Sequence, residues 1–169
     1  MSIFETILRL TDASVPFLLS MQQDNTSHKD YNGQMSPGKG FAEPSASNYA
    51  AATLIAVYFC PESKYYHSEK LLKCATKLLI FLLSSCNEDG TLDLMETNFH
   101  DSTCNGFAVQ TLAYTYRLLE REAKTSNEIK AKDLTFKFIQ TSADAMLNGG
   151  FHTPNHRWVL ASALSLCSN

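Results

Sequence analysis

The chain has 169 residues, 44% of them apolar and 18% charged, an ordinary globular balance and enough length to bury one domain's core. Its 14 basic and 17 acidic side chains leave a net charge of −3. With a pI near 5.9, the chain lacks the basic footprint of a protein that binds nucleic acid or an anionic membrane surface.

Apolar periodicity and end signals predict six helices. The first spans about Ile3 to Met21, where Pro16 is expected to kink or split it. Its start, Met1-Ser2-Ile3-Phe4-Glu5, has no basic stretch leading into an apolar one. The chain therefore reads as cytoplasmic as it stands, and as secreted or periplasmic if a signal was removed. The second helix follows Pro44, with Ser45 or Ser47 as its N-cap, and runs to Phe59 before Pro61. The third opens near Tyr66 to Ser68 and ends at about Cys86, before the turn signal Asn87-Glu88-Asp89-Gly90. Its apolar run, Leu78 to Leu83, is too short to span a bilayer. Thr91 to Met95 alternates and suits a short strand.

The fourth helix is expected from about Asn105 to Ala123. The fifth starts at Ser126 and stops at Asn148-Gly149-Gly150. The sixth follows Pro154-Asn155 and reaches about Cys167. Leu54, Leu78, Leu82, Leu112, Phe138 and Leu160 are the expected core. Five cysteines with no C-x-x-C spacing suit free, mostly buried thiols.

The connections alternate. Short polar turns join helices two to three and four to five. Longer loops rich in Gly, Asn, His and Pro precede helices two, four and six. In a row of antiparallel helices every second connection falls at the same end, so the three long loops should share one rim. The even helices are also poor in charge (Tyr49 to Leu54, Ala108 to Ala113, Val159 to Leu164), whereas the fifth carries Lys130, Lys132, Asp133 and Lys137. A charge-poor set beside a charged one is the pattern of inner and outer helices. The expected fold is all-α, with helical hairpins forming part of an α/α toroid. Three hairpins make an incomplete (α/α)6 barrel. The expectation is thus a single toroid domain over 1–169, the N-terminal portion of a longer chain or one completed by an oligomer partner.

Two loops concentrate polar groups on that rim, Asp89 to Ser102 and Asn148 to Trp158. Loops on a rigid scaffold are where site residues collect, and helix N-termini present free N–H groups suited to a carboxylate. Such a set fits proton abstraction beside a carboxylate, as in β-elimination at a uronic acid. Asn155, His156 and Arg157 could neutralise the carboxylate, and His100 or His152 could act as base. Phe151 or Trp158 offers a flat face for a sugar, and Asn98 in the other loop is a further binding candidate. Plainer readings stand next to these: Asn155 as an N-cap, Asn98 to Asp101 as a self-bonded turn, His156 and Arg157 as a solvated first turn, Trp158 as packing. His100, Asp101 and His152 lack metal-ligand spacing, so neither metal nor cofactor is expected. A hydrolase would need two carboxylates from Asp89, Asp93, Glu96 and Asp101, and nothing selects a pair.

Asn98-Phe99-His100 before one charge-poor helix, with Gly149-Gly150-Phe151-His152-Thr153-Pro154-Asn155-His156-Arg157-Trp158-Val159 before the next, resembles the heparinase II/III-like and alginate-lyase-like α/α-toroid proteins. The resemblance covers about positions 85 to 167. It implies a polysaccharide lyase-like carbohydrate-active enzyme acting on glycans that contain uronic acid. Asn155 and His156 would match neutraliser positions, and the β-sandwich that usually follows such a toroid is absent from these residues. Two alternatives remain: a non-catalytic α-solenoid that binds a protein or sugar, and a glycoside hydrolase on the same toroid.

Overall fold

A computed structural model describes residues 2–22, 33, 35, 43–94, 97–150 and 153–168. They form six helices, α1 (Ile3–Met21), α2 (Pro44–Phe59), α3 (Glu69–Ser84), α4 (Ser102–Glu122), α5 (Ser126–Asn148) and α6 (Pro154–Cys167). A short antiparallel pair, β1 (Leu92–Leu94) and β2 (Asn98–Asp101), precedes α4. The chain is thus mostly helical, as its periodicity predicts. No helix among the described residues is long and apolar enough to cross a membrane.

Local chemistry sets the helix starts and corrects several sequence expectations. α1 opens with a capping box: the Glu5 carboxylate accepts the Ser2 N–H at 2.6 Å, and the Ser2 hydroxyl accepts the Glu5 N–H at 3.1 Å. Pro16 does not split this helix, which continues to Met21. α2 is capped by neither Ser45 nor Ser47. Its N-cap is Glu43, and Pro44 takes the first turn, where a missing N–H is no loss. α4 begins at Ser102, earlier than expected, because the Asp101 carboxylate accepts the Thr103 N–H at 2.8 Å. Thr153, not Asn155, is the N-cap of α6.

α2–α3 and α4–α5 are closely packed hairpins. Across them, α4 lies against α2 on one side and α6 on the other, and α3 lies against α5. The result is two rows, α2–α4–α6 and α3–α5. Gly106 lets α4 and α6 come close, since a Cβ there would come within 3.0 Å of Val159 and 3.2 Å of Leu160. α2 has no charged residue and buries polar Ser47 and Asn48 along with Ala50, Ala51, Leu54, Ile55, Val57 and Tyr58. A helix apolar on all sides belongs inside a fold. All six expected core residues are buried, from Leu54 through Leu160. α1 differs: of its side chains only Val15 is fully buried, while Ile3, Phe4, Ile7, Leu10 and Phe17 stay exposed.

The 87–101 loop is latched by one residue that the sequence reading did not select. Buried Asn105 accepts the Leu92 N–H at 2.8 Å and donates to the Gly90 carbonyl at 2.9 Å and the Ser142 hydroxyl at 3.0 Å. Gly90 itself has φ +80 and lies so near α5 that a Cβ would stand 2.7 Å from the Thr141 carbonyl. At the opposite end of the hairpins, buried Glu128 receives the Tyr58 hydroxyl at 2.8 Å and the N–H groups of Lys124 and Thr125 at 2.8 and 2.7 Å.

Candidate functional site

The structure sorts the expected site residues into two places. The first is the β-hairpin. Here His100 Nδ1 lies 2.8 Å from Asp89 Oδ2 and 3.3 Å from the Thr91 hydroxyl. Asp89 also accepts the Thr91 N–H at 3.0 Å and its O–H at 2.5 Å. Those two Thr91 donors, then His100, hold the Asp89 carboxyl down at about 2. Asp93 accepts the His100 N–H and an Asn87 amide hydrogen, both at 2.8 Å. His100 adopts φ +53, a left-handed conformation uncommon outside glycine. The hairpin thus fixes an acid–imidazole pair at an exposed position, with Asn98 and exposed Phe99 on the same strand.

The second place is a cleft of about 320 Å³ at the N-terminal ends of α2, α4 and α6, lined by Ser45, Asn48, Tyr49, Leu94, Asp101, Thr103, Cys104, Phe107 and His156. Each wall follows from the helix starts already described. The Pro44 start of α2 places Ser45, Asn48 and Tyr49, and the Asp101 cap of α4 places Thr103, Cys104 and Phe107. Pro154 opens α6 two residues before His156. The alternation of long loops thus does bring the first turns of the even helices to one rim.

Within this cleft His156 Nδ1 lies 3.3 Å from the Thr103 hydroxyl, which orients the ring. Asp101 is buried and occupied as a cap, so it is not free to serve as a base. Burial, and then the Asp101 charge beside it, push the Cys104 thiol up to about 12. That thiol stays protonated at neutral pH and is no nucleophile. Asn48 is 1% exposed, and its Oδ1 has no hydrogen-bond partner among the described residues. Exposed Tyr49 and Phe107 stand on the same lining.

Of the sequence candidates among the described residues, only His156 lines the cleft. Asn155 is exposed and accepts the Thr153 hydroxyl at 2.5 Å. Arg157 is exposed beside it, and Trp158 is 78% exposed, so Trp158 is no packing residue here. His100 holds its place on the hairpin with Asp89. Phe151 and His152 lie outside the described residues. Sequence reasoning missed Asn48, whose only signal was an amide in an uncharged helix, Tyr49, which opens a charge-poor run, and Phe107, which was not singled out. All five cysteines are free, but only Cys74 is fully buried. Among the described residues no three His, Cys, Asp or Glu side chains are grouped to hold a metal ion.

The chain matches no family model, no curated protein and no solved structure in comparisons with known proteins.

Proposed function

We propose that the chain is the hairpin part of an α/α toroid in a carbohydrate-active protein, with its saccharide lying across the rim formed by α2, α4 and α6. The observation that carries this reading is the cleft at that rim, where an oriented imidazole, His156, stands with two exposed aromatic rings, Tyr49 and Phe107. Two packed rows of helices, with the first turns of α2, α4 and α6 at one rim, also suit a segment of such a ring.

The chemistry proposed is β-elimination at a uronic acid. With Nδ1–H donating to the Thr103 hydroxyl, Nε2 is the ring nitrogen of His156 left to take the proton from the carbon next to the carboxylate. The electron pair left behind forms a carbon–carbon double bond as the glycosidic carbon–oxygen bond at the neighbouring carbon breaks, and the leaving oxygen takes up a proton from water. Arg157 and Asn155, next to His156 at the mouth, are the groups proposed to balance the substrate carboxylate. The same lining weighs against a hydrolase, which needs two carboxylates on its substrate. Asp101 is the one carboxylate among the described lining residues, and it is already spent on capping α4. Exposed Tyr114 and Trp158, on α4 and α6, favour a second reading in which the protein holds a glycan without cutting it.

The test is incubation with alginate, pectate and heparin-type polymers while following the ultraviolet absorbance of the unsaturated product. A rise that His156→Ala removes supports the lyase reading. Binding without a rise supports the binding module, and neither binding nor cleavage rejects both.

A further inference from the structure

We infer that the cleft at the head of α2, α4 and α6 holds one neutral, hydroxyl-bearing sugar unit, selected by Asn48. This rests on the saccharide reading above and goes beyond it by naming the class of unit that enters.

The first observation is the unmet acceptor. Buried polar atoms are nearly always paired, and a buried acceptor left alone lowers stability. Asn48 Oδ1 is such an atom, on a residue 1% exposed that lines the cleft. A ligand hydroxyl has what it lacks, a donor hydrogen. A carboxylate brings only acceptors, so Asn48 asks for a hydroxyl, and the charge of the lining decides between a neutral ring and a uronate.

The second observation is charge. Asp101 lies in the lining, and no Lys or Arg does among the described residues. A uronate carboxylate brought here would be desolvated beside a like charge. A neutral ring meets no such penalty. Its hydroxyls can donate to Asn48 and exchange hydrogen bonds with Thr103, while its C–H faces rest against Tyr49 and Phe107. The volume of about 320 Å³ sits at the small end of ligand sites, of order 300–1,000 Å³, and suits one ring. The acidic unit of the polymer then lies at the mouth of the cleft, its carboxylate over Arg157 and its proton-bearing carbon at His156 Nε2, while its neutral neighbour fills the cleft. The preferred glycan pairs a uronate with a neutral neighbour.

The experiment titrates the 15N-labelled chain with methyl glycosides of glucose, galactose and mannose, and separately with those of glucuronate and galacturonate. A neutral glycoside should bind about tenfold or more tightly than the uronates and move the side-chain amide resonances of Asn48. Asn48→Leu should weaken neutral binding by about fivefold or more while melting no earlier than the wild type, because it removes the unmet oxygen. Uronates binding as tightly as neutral glycosides, or Asn48 amide resonances that stay still while a neutral glycoside binds, overturn the inference and leave the saccharide reading standing. Neutral affinity unchanged in Asn48→Leu does the same. No binding by either class removes the saccharide reading, and the inference with it. If Asn48→Leu does not fold, the wild-type resonances decide.

Discussion

Glu128 shows how one side chain can tie two hairpins together. Burial alone would raise its carboxyl, but the N–H groups of Thr125 and Lys124 and the Tyr58 hydroxyl outweigh it and hold the group at about 2. A carboxyl depressed on folding adds stability at pH above its unfolded value, and that contribution is lost as pH falls through its folded one. Glu128→Gln should therefore cost ~1–3 kcal/mol at neutral pH. Urea titrations should show the gap between the two proteins closing from about pH 4.5 down to about pH 2, the span between the ordinary and folded values. A gap independent of pH would mean that the charge does not matter. A second residue-scale contrast lies on α6. Asn155 is not the cap, so Asn155→Ala should shift stability by less than ~0.5 kcal/mol, whereas His156→Ala should abolish any cleavage. The sequence made His156 legible because it stands in a cluster of polar residues. Asn48 was hidden because an amide inside an apolar helix looks like a tolerated exception until its neighbours are known.

At the scale of elements, the helices were legible because each carries its own period and stop, and the missed boundaries trace to caps. Asp101 starts α4 early because its carboxylate reaches the Thr103 N–H, while Ser47, which looks like a cap, is drawn inward to accept the Met35 N–H at 3.3 Å. β1 was legible as alternation. β2 was not, since four residues with an irregular register and a histidine at φ +53 have no period to detect. What holds that hairpin is tertiary, through Asn105 and the fit of Gly90 against α5. Gly90→Ala would force a positive φ on an L side chain and push its Cβ into the Thr141 carbonyl, so it should cost ~1–3 kcal/mol in a thermal melt. An unchanged melt would show that the 87–101 loop yields freely. Within α4, Leu112 is fully buried, and Leu112→Ala should cost ~2–5 kcal/mol. A loss below ~0.5 kcal/mol would mean that α4 does not sit in the core as described.

Across the whole molecule, the shared end of the even helices' first turns was legible from the alternation of the loops, because antiparallel packing leaves little choice of end for each loop, and their place side by side from their lack of charge. How the row is finished at its first helix is a matter of tertiary contacts that no period encodes. α4 is flanked by α2, α5 and α6, whereas α1 buries one side chain fully and leans on the core through Leu18, Leu19 and Met21. Its middle is tied down by Asp12, which accepts the Ser63 hydroxyl at 2.6 Å and the Lys64 N–H at 3.2 Å. Pro16 supplies no N–H to the helix ladder. Regions with few buried contacts open at a fraction of the global free energy, so α1 should be the least protected helix. In hydrogen exchange, the amides of Ile7 to Thr11 should exchange far faster than those of Val109 to Leu119. Asp12→Ala should speed α1 further, leave α4 protection unchanged and lower the melting temperature by no more than about 2–4 °C, the shift expected for ~1 kcal/mol in a chain this long. Protection of α1 equal to that of α4 would defeat the prediction. It would mean that Ile3, Phe4, Ile7 and Leu10 are covered in solution, and dilution of the sample would then show whether a second copy is what covers them.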